Sequence, residues 1–437
     1  MTEKLFYSDP YMREFDAEVT GVLFEKGAWK VAMDRTAFYP EGGGQPADRG
    51  VILKTVPGDL AAYDDKNLRE AAAPGSFPSG SKPQNRAESA DQISVTDVHE
   101  KDGIIWHTLA WAGDAKMPSE GGTPPFAAGE TICGIIDWER RFDHMQQHSG
   151  EHIVSGMICE AFCCDNVGFH MGADTVTIDY NAPVTWEQIL EIEKRANEYI
   201  WENHDSEISV YRGVELESVT YRSKKELTGD VRIVSFPGAD TCACCGTHVK
   251  KSGEVGIAKF LSAVKFREGT RFEVCFGRRA YRLLSDCFDQ NRAIGNMMNA
   301  KITETADVVK KHMDDIAALK VSIASTEGKY FKELSEKYRD KGDTLIITDG
   351  LTPDGVRKLA VLAGSVCHGT AAVFSAAQEG SKDYKYAIVK ENGDISEMVR
   401  SLNTALSGRG GGKNGFAQGS VCASRKEIRA FFDSFFE

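Results

Sequence analysis

Two pairs of residues, each four apart, do most to limit the folds open to this chain. His148 and His152 lie in QHSGEHIV, and Cys244 and His248 lie in CCGTHV. Residues four apart on a helix share a face, so the first pair can turn two imidazoles towards one ion. Alone, that spacing is a weak signal, because a packed or solvent-facing pair gives it too. The second pair is separated by a Cys-Gly-Thr turn that a strand-to-helix connection would supply. Thiolate and imidazole together suit the borderline-soft Zn²⁺ ion, so one zinc per chain is expected on these four residues. A fold that unites them must bring a helix face against a turn far downstream.

A closed four-ligand site is usually structural, whereas a catalytic one keeps an open position, and the spacing leaves both readings standing. Cys242 and Cys245 are competing thiolates, read as partly buried and uncommitted. Cys159, Cys163 and Cys164 form a second cluster that spacing could also nominate for metal. Eleven cysteines, an odd number in a long chain whose acidic N-terminus is no secretory or transit signal, argue for reduced thiols and the cytoplasm. Glu151 precedes the second histidine rather than following the first, so the HExxH protease pattern fails.

A length of 437 residues exceeds what one core usually supports, so several domains are expected. Residues from about 15 to 55 alternate apolar and polar positions like half-buried strands, and ISVTDVHEKDGIIWHTLAW reads as a hairpin turning at Lys101-Asp102-Gly103. The Ala-, Pro-, Gly- and Ser-rich stretch of about 56–91 reads as an inserted loop. Helical spacing runs through RRFDHMQQHSGEHIVSGMICEAF and through TWEQILEIEKRANEYIWENH, the latter behind a Thr185 cap, with TVTIDY alternating as a strand between them. Ile302, Val309, Ile316, Ile323 and Tyr330 recur every seven residues, predicting a long helix or helical hairpin interrupted at Thr326-Glu327-Gly328. TLIITDG, AAVFSAA and YKYAIVK are strands of a terminal α/β domain closed by the glycine-rich run GRGGGKNG.

The fold class that follows is α+β multidomain. A small N-terminal β-barrel-like domain spans 1–115, an α+β zinc-binding domain 129–285, a helical linker 286–340 and a C-terminal α/β domain 341–437. No apolar run is long enough for a membrane span. A net charge of −13 argues against a protein that coats nucleic acid non-specifically, but local basic faces exist. Lys265, Arg267, Arg271, Arg278, Arg279 and Arg282 cluster in KFREGTRFEVCFGRRAYR, and Arg409 and Lys413 flank the terminal glycines, which could cradle phosphate.

The motifs HxxxH and CxxxH, set in QHSGEHIVSG and CCGTHV, resemble those of the editing domain of alanyl-tRNA synthetases and of the free-standing AlaX editing proteins. TAFYPEGGGQPADRG at 36–50 is similar to that family's glycine-rich segment. Residues 230–284 resemble its second additional domain, and the tail from about 340 resembles the domain attached to DHH phosphoesterases, although the DHH motif itself is absent. The resemblance implies that His148, His152, Cys244 and His248 hold zinc and that Thr36 and Gln45 lie near the aminoacyl group. It implies a hydrolase that removes serine or glycine from mischarged alanine tRNA, with tRNA as partner and a tail that binds tRNA or dimerises. Arg267, Arg271, Arg278, Arg409 and Lys413 are the candidate tRNA contacts. A non-catalytic tRNA binder with structural zinc, and threonyl-type editing, are the rivals. Because the chain starts at the β domain, ATP use is not expected. Two departures stand out: Cys245 where a glycine commonly follows the motif cysteine, and Ser149-Gly150 in place of Thr-Ala, which loosens helix propensity.

Overall fold

Alternation at the N-terminus builds strands because every second side chain has a core to enter. The computed structural model describes residues 1–54, 92–111, 122–223 and 229–436, so the expected inserted loop of about 56–91 lies outside the described residues. Contacts divide the chain into two compact units, Met1–Gln290 and Asn291–Glu437.

The first unit begins with β1 (Glu3–Lys4), α1 (Leu5–Ser8), β2 (Glu14–Glu25), β3 (Ala28–Met33), β4 (Arg35–Thr36), β5 (Gly50–Lys54), β6 (Gln92–Lys101), β7 (Ile104–Trp111) and β8 (Thr131–Ile136). Six of these close a barrel in the order β2-β3-β7-β6-β5-β8. Phe15, Ala17 and Val19 of β2 and Ile105, His107 and Leu109 of β7 are its inward residues, each two apart as the pleat requires. The β6–β7 hairpin turns on Asp102 and Gly103, both at positive φ (54° and 76°), which matches the twist of the strands it joins.

The rest of this unit follows as α2 (Trp138–Phe162), β9 (Asn166–Met171), β10 (Val176–Tyr180), α3 (Trp186–Glu202), β11 (Glu207–Arg212), β12 (Asp230–Phe236), β13 (Asp240–Ala243), β14 (Ala258–Phe266) and β15 (Gly269–Phe276). A four-stranded sheet, β14-β15-β10-β9, shares one core with α2 and α3 through Ile153, Ile158, Ile178, Ile189, Phe260 and Phe272. A three-stranded sheet, β11-β12-β13, carries the Cys-His motif at its end. Thr185 caps α3 in a reciprocal capping box with Gln188.

Helix α2 is buried on all sides from His144 to Ile158. Its glycines make that possible. A Cβ on Gly150 would strike the Phe276 ring, and one on Gly156 would strike the Ala239 carbonyl. The propensity lost at Gly150 is therefore the condition for close packing against β15, not a loosening of the helix. Arg141, fully buried, donates to Asp48 and to the carbonyls of Pro10 and Ala37, fastening α2 to the glycine-rich segment of the barrel.

Helix α4 (Gly277–Met298) crosses from the first unit into the second, which continues with α5 (Thr305–Glu336), β16 (Thr344–Asp349), α6 (Pro353–Cys367), β17 (Thr370–Ala376), β18 (Asp383–Lys390), α7 (Ser396–Ala405), β19 (Arg409–Lys413), β20 (Phe416–Cys422) and α8 (Arg425–Asp433). Its sheet is mixed, in the order β16-β17-β18-β20-β19 with only β16 and β17 parallel. Two expectations are corrected here. Helix α5 runs unbroken through Thr326-Glu327-Gly328, since one glycine costs only about 1 kcal/mol among good helix formers. The run GRGGGKNG is not a loop but the edge strand β19 and its Asn414-Gly415 turn, and its glycines admit the neighbouring strand: a Cβ on Gly410 or Gly412 would collide with β20 or Tyr386.

Candidate metal centre

The four residues picked out by spacing meet. His148 and His152 stand one turn apart on α2, and Cys244 and His248 come from the loop that follows β13. This loop leads into a 3₁₀ turn at Ser252–Val255, not into an α-helix as the spacing suggested, and Val249 N–H donates to Ser149 Oγ to hold it on α2. One nitrogen or sulfur from each of the four lies within 4.8 Å of the others. Cys244 Sγ is 3.4 Å from His148 Nε2 and 3.7 Å from His248 Nε2. Ligands of a tetrahedral ion with bonds of about 2.0–2.3 Å sit about 3.3–3.8 Å apart, so these separations fit.

Hydrogen bonds on the far side of two rings settle their tautomers. Gln45 Oε1 accepts from Thr247 N–H (3.2 Å) while Gln45 Nε2 donates to Thr247 Oγ1 (2.9 Å), which fixes the direction of the amide. His148 Nδ1, 2.8 Å from that same Oε1, is therefore the protonated nitrogen, leaving Nε2 with its lone pair towards Cys244. His152 Nδ1 donates to Asp240 Oδ2 (2.9 Å), and Asp240 is gripped by Arg222 Nε and Nη2 (2.6 and 2.9 Å). Such carboxylate–histidine pairs orient imidazoles behind metals. His248 Nδ1 has no hydrogen-bond partner among the described residues.

The electrostatics suit a cation. Burial acts to raise the Cys244 thiol, but the imidazoles of His148 and His248 overcome it and hold the group well below its usual value. Burial acts to lower His152, and its bonds to Asp240 and Cys244 reverse that and raise it. His248 falls to about 3, chiefly through burial against the opposing pull of Cys244. Cys242 is pushed up by burial to about 11 and stays a thiol. It groups with His152 and Asp240, whereas Cys245 is exposed. No ligand-distance group among the described residues contains Cys159, Cys163 or Cys164; Cys163 instead ends α2 in the left-handed conformation (φ 49°). Glu151 is committed to Ser155 Oγ and Asn166 Nδ2.

The glycine-rich segment makes a tight turn in which Gly42 and Gln45 exchange backbone hydrogen bonds and Gly43 and Gly44 take positive φ. Gly246 performs a matching service from the other side, since a Cβ there would strike the His148 ring and come within 3.0 Å of Gln45 Oε1. Thr36 is joined to none of the four ligand candidates by a hydrogen bond. It lies fully buried against His107, whose Nδ1 donates to the Val31 carbonyl (3.0 Å). His107 Nε2 is thus an acceptor, and Thr36 Oγ1 donates to it (2.9 Å) while accepting from Phe38 N–H (3.1 Å), so one lone pair is left. Burial lowers His107 to about 4, keeping it neutral.

Of the candidate tRNA-binding residues, Arg271 is clamped by Asp179 (2.6 and 2.8 Å) and Arg267 sits over the Phe266 ring. Arg278 approaches Glu139 (3.3 Å), and Arg409 and Lys413 are exposed on β19 in the second unit. Sequence reasoning missed Asp240, Arg222, Thr247, Gly246 and His107. Asp240, four residues before Cys244, and Thr247, beside His248, carried a signal in their nearness to the motif; Arg222 carried none.

The family model "Threonyl and Alanyl tRNA synthetase second additional domain" matches residues 231–272. The alanyl-tRNA editing protein AlaX-L of Pyrococcus horikoshii is 29% identical over 443 residues, covering 98% of this chain and 96% of its own. AlaX-M of Methanosarcina acetivorans, also an alanyl-tRNA editing protein, is 31% identical over 263 residues, covering 58% of this chain and 90% of its own. An alanine–tRNA ligase of Ignicoccus hospitalis is 28% identical over 443 residues, which is 98% of this chain but 42% of the ligase.

Proposed function

The chain belongs to the AlaX family of alanyl-tRNA editing proteins, and we propose that it is a zinc-dependent trans-editing hydrolase that removes serine or glycine from mischarged alanine tRNA. The observation that carries this reading is the meeting of His148, His152, Cys244 and His248, with Gln45 of the glycine turn bonded directly to one of them. Those four residues would hold the ion, one per chain. Bound there, zinc supplies Lewis acidity for an ester carbonyl or a water.

The chain's own groups do the remaining work. Gln45 is a positioning residue that fixes the His148 tautomer and joins it to Thr247, and Asp240 does the same for His152. Thr36, with its hydroxyl proton committed to His107, can only accept, which suits it to a hydroxyl donor such as the serine side chain. Such recognition is needed because a pocket built for alanine cannot strongly reject an added hydroxyl.

Within this reading, residues 1–115 contribute the glycine motif, 129–285 the editing site, 286–340 a helical linker and 341–437 a domain for tRNA or self-association. Met313, Ile316, Leu319 and Ile323, exposed along α5, support a homodimer through that linker. Arg267, Arg271, Arg278, Arg409 and Lys413 are the proposed tRNA contacts. No helix among the described residues is long and apolar enough to cross a membrane, and we place the protein in the cytoplasm.

One feature favours a second reading. Four protein donors already complete a tetrahedral ion, which is the usual arrangement of a structural zinc in a non-catalytic tRNA binder. Deacylation of seryl-, glycyl- and threonyl-tRNA by zinc-loaded protein decides between them. Release of serine or glycine from alanine tRNA is expected; release of neither, with tRNA still bound, identifies the binder, and preference for the threonyl ester identifies the threonyl-type activity.

A further inference from the structure

Beside the glycine turn, a cavity of about 500 Å³ is lined by Arg49, Arg140, Arg278, Arg279 and Arg282 against only three carboxylates. That volume is in the range of small-molecule and nucleotide sites. Two of the guanidiniums are fixed by the protein itself. Arg279 is paired with both oxygens of Asp143 and donates to the Gly172 carbonyl (2.8 Å), and Arg140 Nε donates to the Ala47 carbonyl (3.1 Å). The side chains of Arg49 and Arg282 make no hydrogen bond or ion pair among the described residues, and both residues are exposed. Burial, and next the proximity of Arg49, push the Arg140 guanidinium below its ordinary range, a sign of positive charge crowded without enough counter-charge.

A second observation points to a ligand independently. His144 lines the cavity, is only 2% exposed, and its Nδ1 has no hydrogen-bond partner. Buried polar atoms are rarely left so unless something absent completes them. Burial and the surrounding guanidiniums of Arg140, Arg279 and Arg141 lower this imidazole to about 3, so it is neutral and able to offer an N–H. The cavity's place is also informative. Pro46, in its wall, directly follows Gln45; Met171 N–H, in the same wall, donates to Gly44 O (3.3 Å); and His144 is one helical turn, about 6 Å, from His148.

We propose that this cavity binds a backbone phosphate of the single RNA strand that leads into the four-residue site, with Arg49 and Arg282 as the free guanidiniums and His144 as the buried hydrogen-bonding group. The inference rests on the editing reading for its choice of strand. Two guanidiniums still free to pair, beside two already held in place, suit a phosphate, which arginine recognises bidentately.

The test measures binding, not hydrolysis, so that it can fail separately from the proposed function. The full chain is titrated with a labelled, unacylated RNA minihelix ending in CCA, at several salt concentrations, as wild type, as the double variant Arg49→Ala/Arg282→Ala and as Arg49→Lys/Arg282→Lys. Neither arginine has a partner to leave unpaired, so the fold should survive both changes. Loss of the two charges is expected to weaken binding about tenfold or more and to flatten the salt dependence by about one counterion per arginine, with partial recovery in the lysine variant. A minihelix whose last two linkages are neutral methylphosphonates should bind wild type as weakly as the alanine variant binds the normal one. Affinity and salt slope unchanged in the alanine variant, or equal wild-type affinity for the two probes, would overturn the assignment even if the protein hydrolyses seryl-tRNA. Conversely, a protein that binds through the cavity yet releases no amino acid keeps this site and loses the editing reading.

Discussion

Replacing Asp240 by asparagine tests whether the metal centre depends on what stands behind it. The Asp240 side chain is 1% exposed and accepts three hydrogen bonds, one from His152 Nδ1 and two from Arg222. Asparagine keeps the shape but has one oxygen. In its better orientation that oxygen replaces Oδ2, retaining the His152 and Arg222 Nη2 bonds, while the amide N–H₂ faces Arg222 Nε. One charge-assisted bond, typically about 1.5–3 kcal/mol, is therefore lost. The negative charge between a partly buried guanidinium and a buried imidazole is lost as well, bringing the expected cost to about 3 kcal/mol in the metal-free protein. His152 still finds an acceptor, but a neutral one, so zinc affinity should fall about 10- to 100-fold, the usual penalty for losing a partner behind a ligand. Chemical denaturation of the metal-free chain reads the first quantity, and competition with a chromophoric chelator reads the second. A variant that binds zinc within twofold of wild type would refute the claim that the carboxylate–imidazole pair supports the ion, whatever happened to stability.

Other expectations follow from the same geometry. Gly246→Ala places a methyl group against the His148 ring and Gln45, so it should lower zinc occupancy by at least tenfold, measured by metal analysis after dialysis, with the far-ultraviolet circular dichroism unchanged. Gln45→Ala should cut seryl-tRNA hydrolysis while leaving tRNA affinity within twofold; equal loss of both would favour a binding role. His107, lowered to about 4, leaves the unfolded chain binding more protons below its ordinary value near 6.5, so stability should decline as pH falls from about 6.5 to about 4, by up to about 3 kcal/mol. In His107→Asn this part of the acid sensitivity should vanish from thermal melts. Gly328→Ala fills open space in mid-helix and should stabilise the second unit by about 0.5–1 kcal/mol, read as a rise in its denaturation midpoint.

What the sequence disclosed about the fold was local order. The alternation in DAEVTGV, the Asp-Gly turn at 102–103 and the Thr185 cap each express a constraint carried by neighbouring residues, and each appears in the structure. Glycine misled in two ways. At Gly328, where a Cβ would touch nothing, it only weakens a helix that runs on through it, and in GRGGGKNG the glycines belong to a strand that needs room for β20 and Tyr386 rather than to a loop. At Gly150 it suggested weakness where Phe276 requires the absence of a side chain. Periodicity cannot report that last contact because Phe276 lies more than a hundred residues further along the chain.

The site divides in the same manner, and the division explains why it needs both halves of the first unit. Its four candidate donors were legible because ligands placed on one helix face or one turn must keep a fixed spacing. Their orientation was not, because it is set by Gln45 from the barrel and by Asp240 and Arg222 from the three-stranded sheet, residues that spacing does not connect. Helix α2 alone could present His148 and His152, but with either ring free to expose either nitrogen. Arg141 and Asp48 pin that helix to the glycine turn, the turn brings Gln45 to His148 and Thr247, and Thr247 sits beside His248. The barrel is thereby part of the proposed metal centre without contributing a candidate ligand. It follows that a fragment beginning after β8 should retain all four donors yet bind zinc more weakly than the whole chain, and chelator competition on the two proteins should show the deficit.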